Sequence, residues 1–464
     1  MRILHISTRL ILGGSQENTV LSCEGQARRG HEVHLAYGPI YGPEGSMLER
    51  VQAFNTRCEA GEERTRGGEA CKPIGLHEVS DLCREISPLR DRRCIGQFKR
   101  LVREVEPDIV HTHSSKAGIL GRLACTSVER VHHYGSTYYF KDGTEVAIDL
   151  TNQREPPDIA DLDPAHSQGV DMWDAWYDGP VVIHTIHGPP FMPVEGGVAA
   201  RTKTRFKNWI YTLAERYAAK RCHTIVSVAD AMTEQYLARK IGKPEQYVTV
   251  RSGMEIAPYL EPAPGEDRET VRRKLGFVPT DYVVGTVARL AEHKGHDDLL
   301  DALGDELRTR DNWRLLWVGD GWWRERLMKR VESMGLAGKV VTTGLVPPER
   351  VPGLVRAMDV LAHPSSREGL PRTVPQALLC GVTPIAYDVD GTREACRDGE
   401  TGVLVPLGDR AALHAGVLKL YDDPDLRARL AQRGLDECRT AFSAETMVEA
   451  LEAVYERALR KDQS

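Results

Sequence analysis

The residue types best suited to chemistry fall in one stretch, His363-Pro364-Ser365-Ser366-Arg367-Glu368-Gly369-Leu370-Pro371. The preceding Asp359-Val360-Leu361-Ala362 reads as a short buried strand. Arg372 to Leu379 reads as a helix closed by Gly381. A strand ending in a polar loop that opens a helix is the usual ligand position of an open parallel sheet. Free amides at Gly369 and Leu370, backed by the helix dipole, suit an anion. The Glu368 carboxylate would repel that anion, so it must hold something else, and a sugar hydroxyl is the natural partner. The stretch suits a molecule that carries both phosphate and polyol.

Other segments offer partners for it. Arg289 and Lys294, in Arg289-Leu290-Ala291-Glu292-His293-Lys294-Gly295, are two cations around a turn at the same sheet edge as Glu368. Such a pair can clamp a diphosphate and stabilise it as a leaving group; a solvated charged loop is the plain alternative. Gly13 and Gly14, after the first strand, permit close backbone approach to a diphosphate, or simply form a tight turn. Their spacing is not G-x-G-x-x-G, and no acid follows the second strand as a dinucleotide fold expects. Gly319-Asp320-Gly321 and Gly344-Leu345 are turn signals first; Gly344 and Leu345 are also candidates to line a base pocket. His184 and His187 end one strand, and His111 and His113 end another. No carboxylate or cysteine joins either pair at ligand spacing, so no metal site is expected. His111 and His113 read as satisfied structural histidines, whereas His187, before Gly188-Pro189-Pro190, is expected to contact substrate.

These residues need elements that place them together. Short β-rich runs alternate with helical patterns: Ile3 to Ser7, Val33 to Tyr37, Ile109 to His113, Val181 to Ile186, Ile225 to Val228 and Val248 to Val250. A second series follows: Tyr282 to Ala288, Leu315 to Val318, Val340 to Thr343, Val360 to Ala362, Pro384 to Ala386 and Val403 to Val405. The alternation predicts an α/β protein of two doubly wound, Rossmann-like domains facing a cleft. The expected divisions are residues 1–260, 261–442 and a C-terminal helix 443–464 that packs on its own domain or crosses back to the first. Residues 57–72 read as a polar surface loop. An insertion at about 126–179 carries eleven acids against three Lys or Arg, with several aromatics, and reads either as a lid over a polyhydroxylated acceptor or as a surface insertion.

The chain has 464 residues, 41% hydrophobic and 28% charged, with net charge −6, which argues against a nucleic-acid partner. Ten scattered cysteines, no signal peptide and no apolar run of membrane-spanning length predict a cytoplasmic protein with reduced thiols. The helix 201–220 sets Phe206, Trp209, Ile210, Leu213 and Tyr217 against six Lys and Arg. That pattern fits an ordinary core-facing helix or peripheral contact with an anionic membrane.

Taken in order, Gly13-Gly14, Arg29-Gly30-His31-Glu32-Val33, Pro107-Asp108-Ile109-Val110-His111-Thr112-His113, His184-Thr185-Ile186-His187-Gly188, Arg289, Lys294 and Arg367-Glu368-Gly369-Leu370-Pro371 resemble the retaining glycosyltransferases of family 4, of the GT-B type. The resemblance implies a nucleotide-sugar donor, UDP- or GDP-linked, held mainly by the second domain and acting as substrate rather than cofactor. It implies an acceptor hydroxyl on a sugar, a lipid-linked glycan or another molecule, held mainly by the first. Arg289 and Lys294 would bind the diphosphate, Gly14 would meet it across the cleft, and Glu368 would hold hydroxyls of the transferred sugar. The amides of Gly369 and Leu370 would assist the phosphate, and His187 would contact the donor sugar. The family's Glu-x7-Glu is Glu368-x7-Gln376 here, so the residue expected on the ribose is a glutamine. It keeps an acceptor oxygen and loses charge assistance, on the order of 1 kcal/mol. Expected chemistry is metal-independent same-face transfer; a sugar-nucleotide epimerase, a non-catalytic nucleotide-sugar-binding partner and a nicotinamide oxidoreductase are the alternatives.

Overall fold

A computed structural model describes residues 1–40, 45–125, 132–139, 145–149, 173–176, 179–188, 191 and 198–462, those between 132 and 176 as backbone only. Two parallel sheets dominate. The first runs Tyr247–Thr249, Thr224–Ser227, Val181–Ile186, Ile109–His113, Arg2–Ser7, Glu32–Tyr37, Gly75–Glu78 in spatial order. The second runs Val340–Thr342, Trp313–Val318, Tyr282–Val287, Val360–His363, Thr383–Tyr387, Val403–Val405. Every neighbouring pair in both sheets is parallel. The central strands are buried because helices cover both faces, as in Tyr282–Val287, whose first five residues are buried.

Each sheet is doubly wound, so chain order reverses once in each. In the first sheet the reversal lies between Arg2–Ser7 and Ile109–His113; in the second it lies between Tyr282–Val287 and Val360–His363. Loops leaving the C-terminal ends of strands at such a point diverge to opposite faces and leave a crevice. The loops that carry Gly14, Ser114, Lys294 and Glu368 all leave from these four strands.

Two features differ from the sequence expectation. Gly75–Glu78 forms a seventh strand in the first sheet. It is a four-residue edge strand without a fully buried position, so it has no apolar run to announce it. The insertion supplies three short antiparallel strands, His132–Tyr139, Glu145–Asp149 and Trp173–Trp176, in a separate sheet. Its side chains lie outside the described residues, and the expected lid with them.

The last helix, Ala444–Asp462, leaves the second domain and packs on the first. Met447, Leu451, Val454 and Tyr455 join Ile3, Ile109 and Val181 in one apolar cluster. An added Cβ on Gly25 would sit 2.5 Å from Val448, so the helix Gly14–Ala27 and this one are in close contact.

Candidate active site

The loop from Pro364 to Arg372 is held on three sides. Toward the Lys294 loop, the Ser366 amide donates to the His293 carbonyl at 2.8 Å, and the Ser365 hydroxyl donates to the same oxygen at 3.1 Å. Gly295 makes this approach possible: its φ is 71°, and a Cβ there would lie 2.0 Å from the Pro364 oxygen. On a second side, the Glu368 amide donates to Asp390 Oδ2 at 2.7 Å and the Gly391 amide donates to the Gly369 carbonyl at 3.1 Å. Asp390 also accepts from Gln235 Nε2 of the first domain at 2.6 Å. On the third side lies the first domain itself. A Cβ on Gly369 would fall 2.2 Å from the His187 carbonyl oxygen, so only glycine permits this approach.

Held this way, Glu368 meets two partners. Lys294 Nζ donates to Glu368 Oε1 at 2.5 Å, and His363 Nε2 donates to the same oxygen at 3.0 Å. His363 Nδ1 in turn lies 3.2 Å from the Thr373 hydroxyl, which therefore donates to it. Burial alone would raise the Glu368 carboxyl; Lys294 first, then His363, outweigh that and hold it well below the usual carboxylate range. Glu368 is thus a fixed acceptor and cannot serve as a general acid near neutral pH.

Around it lies a cavity of about 470 Å³ between the two sheets. Gly14, His187, Lys294, Glu368, Gly369 and Leu370 line it, so six of the residues singled out in the sequence come together. Arg289, Gly13, Gln376, Gly344 and Leu345 are not among its lining residues. The Arg289 guanidinium lies over the Trp322 ring, 5.6 Å from its centroid. Gly13 precedes the helix Gly14–Ala27 as its N-cap. Gln376 is buried within the helix Thr373–Leu379. Gly344 accepts from the Gly319 amide at 3.2 Å, joining two neighbouring strand ends, and Leu345 is 63% exposed.

Arg372 is the main lining residue that sequence reasoning missed. Its Nη1 donates to the Gly14 carbonyl at 2.8 Å, and Nη2 lies 2.8 Å from Glu17 Oε1. A Cβ on Gly14 would sit 2.7 Å from Arg372 Cδ, so the glycine admits a side chain from the other domain. Asp390 and His363 were missed too. The Asp390-Gly391 pair is a turn signal that was available, and His363 stood inside the quoted stretch.

His187 Nε2 lies 3.1 Å from His113 Nδ1, and His113 Nε2 lies 2.9 Å from His5 Nδ1. His5, His111 and His113 each bring a ring nitrogen within 4.8 Å of the others, a spacing that a metal ion accepts. Their nitrogens are already engaged: His5 with Gln26 at 2.7 Å, His111 with Tyr455 at 2.5 Å and Thr185 at 2.6 Å. Three buried neutral imidazoles with satisfied nitrogens and no carboxylate favour a hydrogen-bonded cluster over a metal site.

The fold and this cleft define a glycosyltransferase of the GT-B type, with two parallel-sheet domains that meet at their switch points. A sequence pattern described as "Glycosyl transferase 4-like domain" matches residues 13–253, and one described as "Glycosyl transferases group 1" matches residues 267–436. The chain belongs to this glycosyl transferase 4-like family. It is 30% identical over 302 residues to a 2-deoxystreptamine N-acetyl-D-glucosaminyltransferase of Streptomyces fradiae, covering 63% of this chain and 70% of that one. It is 28% identical to a 2-deoxystreptamine glucosyltransferase of Streptomyces kanamyceticus, covering 65% and 79%. In fold it is similar to Anabaena HepE, crystallised with UDP and glucose, with a TM-score of 0.68 at 17% identity over 98% of this chain and all of that one.

Burial lowers the basicity of the histidines behind the cleft: His5 to about 4, His187 to about 3 with Arg372 adding to the effect, and His111, His113 and His184 well below the ordinary value. In the unfolded chain each titrates near 6.5. The unfolded state therefore binds more protons below about pH 6.5, and stability is lost as pH falls toward the folded values, by at most about 1.4 kcal/mol per pH unit for each histidine. Urea denaturation at stepped pH is expected to show the midpoint falling steadily from pH 7 to pH 5. A midpoint that is flat across that range contradicts the buried neutral cluster.

Proposed function

We propose that this chain transfers a sugar from a UDP- or GDP-sugar to a hydroxyl acceptor with retention of anomeric configuration and without a metal ion. The observation that carries the reading is the Lys294–Glu368–His363 set at the second switch point, facing His187 and Gly14 across the cleft. Glu368, ionised and buried, accepts hydrogen bonds from hydroxyls of the transferred sugar. Lys294 exchanges part of its contact with Glu368 for the donor diphosphate, and Arg289 and Arg372 add positive charge at the same edge. Gly369 and Leu370 lend amides to the phosphate. As the anomeric C–O bond breaks, negative charge grows on the leaving diphosphate and is received by these cations. The acceptor oxygen attacks from the face the diphosphate leaves, and its proton passes to a diphosphate oxygen. Among the described cleft residues, no second carboxylate stands opposite Glu368 to form a covalent glycosyl-enzyme. The relatives named for 2-deoxystreptamine favour a compact polyhydroxylated acceptor. The epimerase, binding-partner and oxidoreductase alternatives have no observation of their own.

An accessory contact follows from the helix Val198–Ala219. Phe206, Trp209, Leu213 and Tyr217 are between 42% and 60% exposed and share one face with Ile210. Lys203 and Lys207 flank that stripe on one side and Arg216 on the other, at about 100° per residue. An apolar stripe with basic flanks suits an anionic membrane surface, with the helix lying in its plane. No helix among the described residues is long and apolar enough to cross a membrane.

Glu368→Ala is expected to lower turnover at least roughly tenfold, about 1.4 kcal/mol of barrier, while the protein still folds, with a lower melting temperature because Lys294 loses its buried partner. Transfer products are to be measured by mass spectrometry with a donor selected by thermal shift; near-normal transfer by this variant contradicts the assignment. In vesicle flotation, the protein is expected to rise with vesicles containing anionic phospholipid and to stay behind with purely zwitterionic ones. Trp209→Glu is expected to abolish that difference. Equal flotation with both lipids contradicts the membrane contact.

A further inference from the structure

We propose that His113, His5 and Gln26 are positioning residues that set the tautomer of His187, so that its Nδ1 is presented to the cleft as an acceptor for a donor-sugar hydroxyl. The proposal rests on the transfer reading only for the identity of that hydroxyl. The hydrogen-bond chain itself stands on geometry.

The chain is anchored at Gln26. Its Nε2 donates to the Tyr455 hydroxyl at 3.0 Å, which turns Oε1 toward His5 Nε2 at 2.7 Å. A carboxamide oxygen only accepts, so His5 carries its hydrogen on Nε2. A neutral imidazole has one hydrogen, which leaves His5 Nδ1 bare to accept from His113 Nε2 at 2.9 Å. His113 Nδ1 is then bare and accepts from His187 Nε2 at 3.1 Å. His187 therefore has its hydrogen pointing inward and a lone pair on Nδ1. The side branch closes without a conflict. The Tyr455 hydroxyl, accepting from Gln26, donates to His111 Nδ1 at 2.5 Å, and His111 Nε2 donates to the Thr185 hydroxyl at 2.6 Å.

Packing holds the rings in this order. His5 and His113 stack with centroids 5.2 Å apart and 18° between planes, and His113 and His187 stack at 5.4 Å and 25°. The charged and titratable groups around the chain are Arg372 at the cleft end, His111 and His184 beside it, and Tyr455 at the far end. Arg372 is a cation lining the same cleft, and its field favours a lone pair over an N–H on the cleft side of His187. Burial keeps His5, His111 and His113 neutral, and partial burial together with the nearby Arg372 does the same for His187.

The far end of the chain decides what it can do. Gln26 cannot take up a proton, so the chain has no sink for one leaving the cleft. His187 is a fixed acceptor and not a base. This agrees with the acceptor proton going to a diphosphate oxygen. The anchor Tyr455 lies on the helix Ala444–Asp462, so the segment that crosses back from the second domain fixes a hydrogen-bond direction in the first.

The test is ¹⁵N NMR of histidine-labelled full-length protein, with His187 assigned by its loss in His187→Asn. The expected spectrum has a pyridine-type Nδ1 and a pyrrole-type Nε2 for His187, unchanged from pH 8 to pH 6. Gln26→Met, of similar size, is expected to give a mixture of tautomers at His187, and Gln26→Glu, whose carboxylate still accepts from His5 Nε2 and now accepts from the Tyr455 hydroxyl instead of donating to it, to restore the single form. In transfer assays Gln26→Met is expected to raise the donor KM about tenfold with a smaller change in kcat, and Gln26→Glu to recover it. A hydrogen on His187 Nδ1, a mixture in the unmutated protein, or an unchanged spectrum in Gln26→Met overturns the proposal. If Gln26→Met does not fold, the unmutated protein and Gln26→Glu still decide it. The spectrum needs no turnover, so an inactive protein with the expected tautomer refutes the transfer reading and supports the hydrogen-bond chain.

Discussion

The structure depends on one buried contact, that of Lys294 with Glu368. A carboxylate taken out of water costs several kcal/mol unless charge and hydrogen bonds replace its hydration. Lys294 and His363 supply that replacement at a single oxygen. Both come from strands at the reversal point of the second sheet, His363 from the end of Val360–His363 and Lys294 from the loop after Tyr282–Val287. The ion pair is therefore also a statement about topology: the two strands are paired neighbours, so the segments that follow them bring these residues together.

The rest of the site follows from how closely the two sheets approach. Gly369 against the His187 carbonyl and Gly14 against Arg372 are contacts that a methyl group would prevent. Gln235 and Asp390 tie the same loop to the first domain, with Asp390 held at a φ of 45° to do so. The helix Ala444–Asp462 makes a second tie on the far side of the first sheet. Small residues meet where the two domains touch, and the cleft is lined by Lys294 and Arg372 beside one ionised carboxylate. That combination suits a ligand with a phosphate end and a hydroxyl-bearing end.

Much of this was legible in the residues. The twelve β-rich runs that predicted two parallel sheets correspond to twelve strands, because strands covered on both faces are rich in apolar residues. The edge strand Gly75–Glu78 was not legible, since Gly-Leu-His-Glu holds a single large apolar residue and none that is β-branched. Gly14, His187, Lys294, Glu368, Gly369 and Leu370 were found as loop residues after strands, where type and position agree. Arg372 was missed because its partners, Gly14 and Glu17, lie more than 350 positions away in the chain. Local pattern carries no sign of such a pairing. The histidine chain was missed for the same reason: His5 and His113 sit on separate strands and His187 just follows a third, and only the sheet order stacks their rings.

The most direct test of the account is the anomeric configuration of the transferred sugar. It is read from proton couplings in the purified product of the unmutated enzyme and compared with the donor that thermal shift identifies. Under the proposed transfer, a cleft whose described residues hold one ionised carboxylate and no opposed general base, with Lys294 and Arg372 beside it, predicts that donor and product share the same configuration. An inverted product requires a base on the far side of the sugar, and would contradict the mechanism assigned to Glu368, Lys294 and His187.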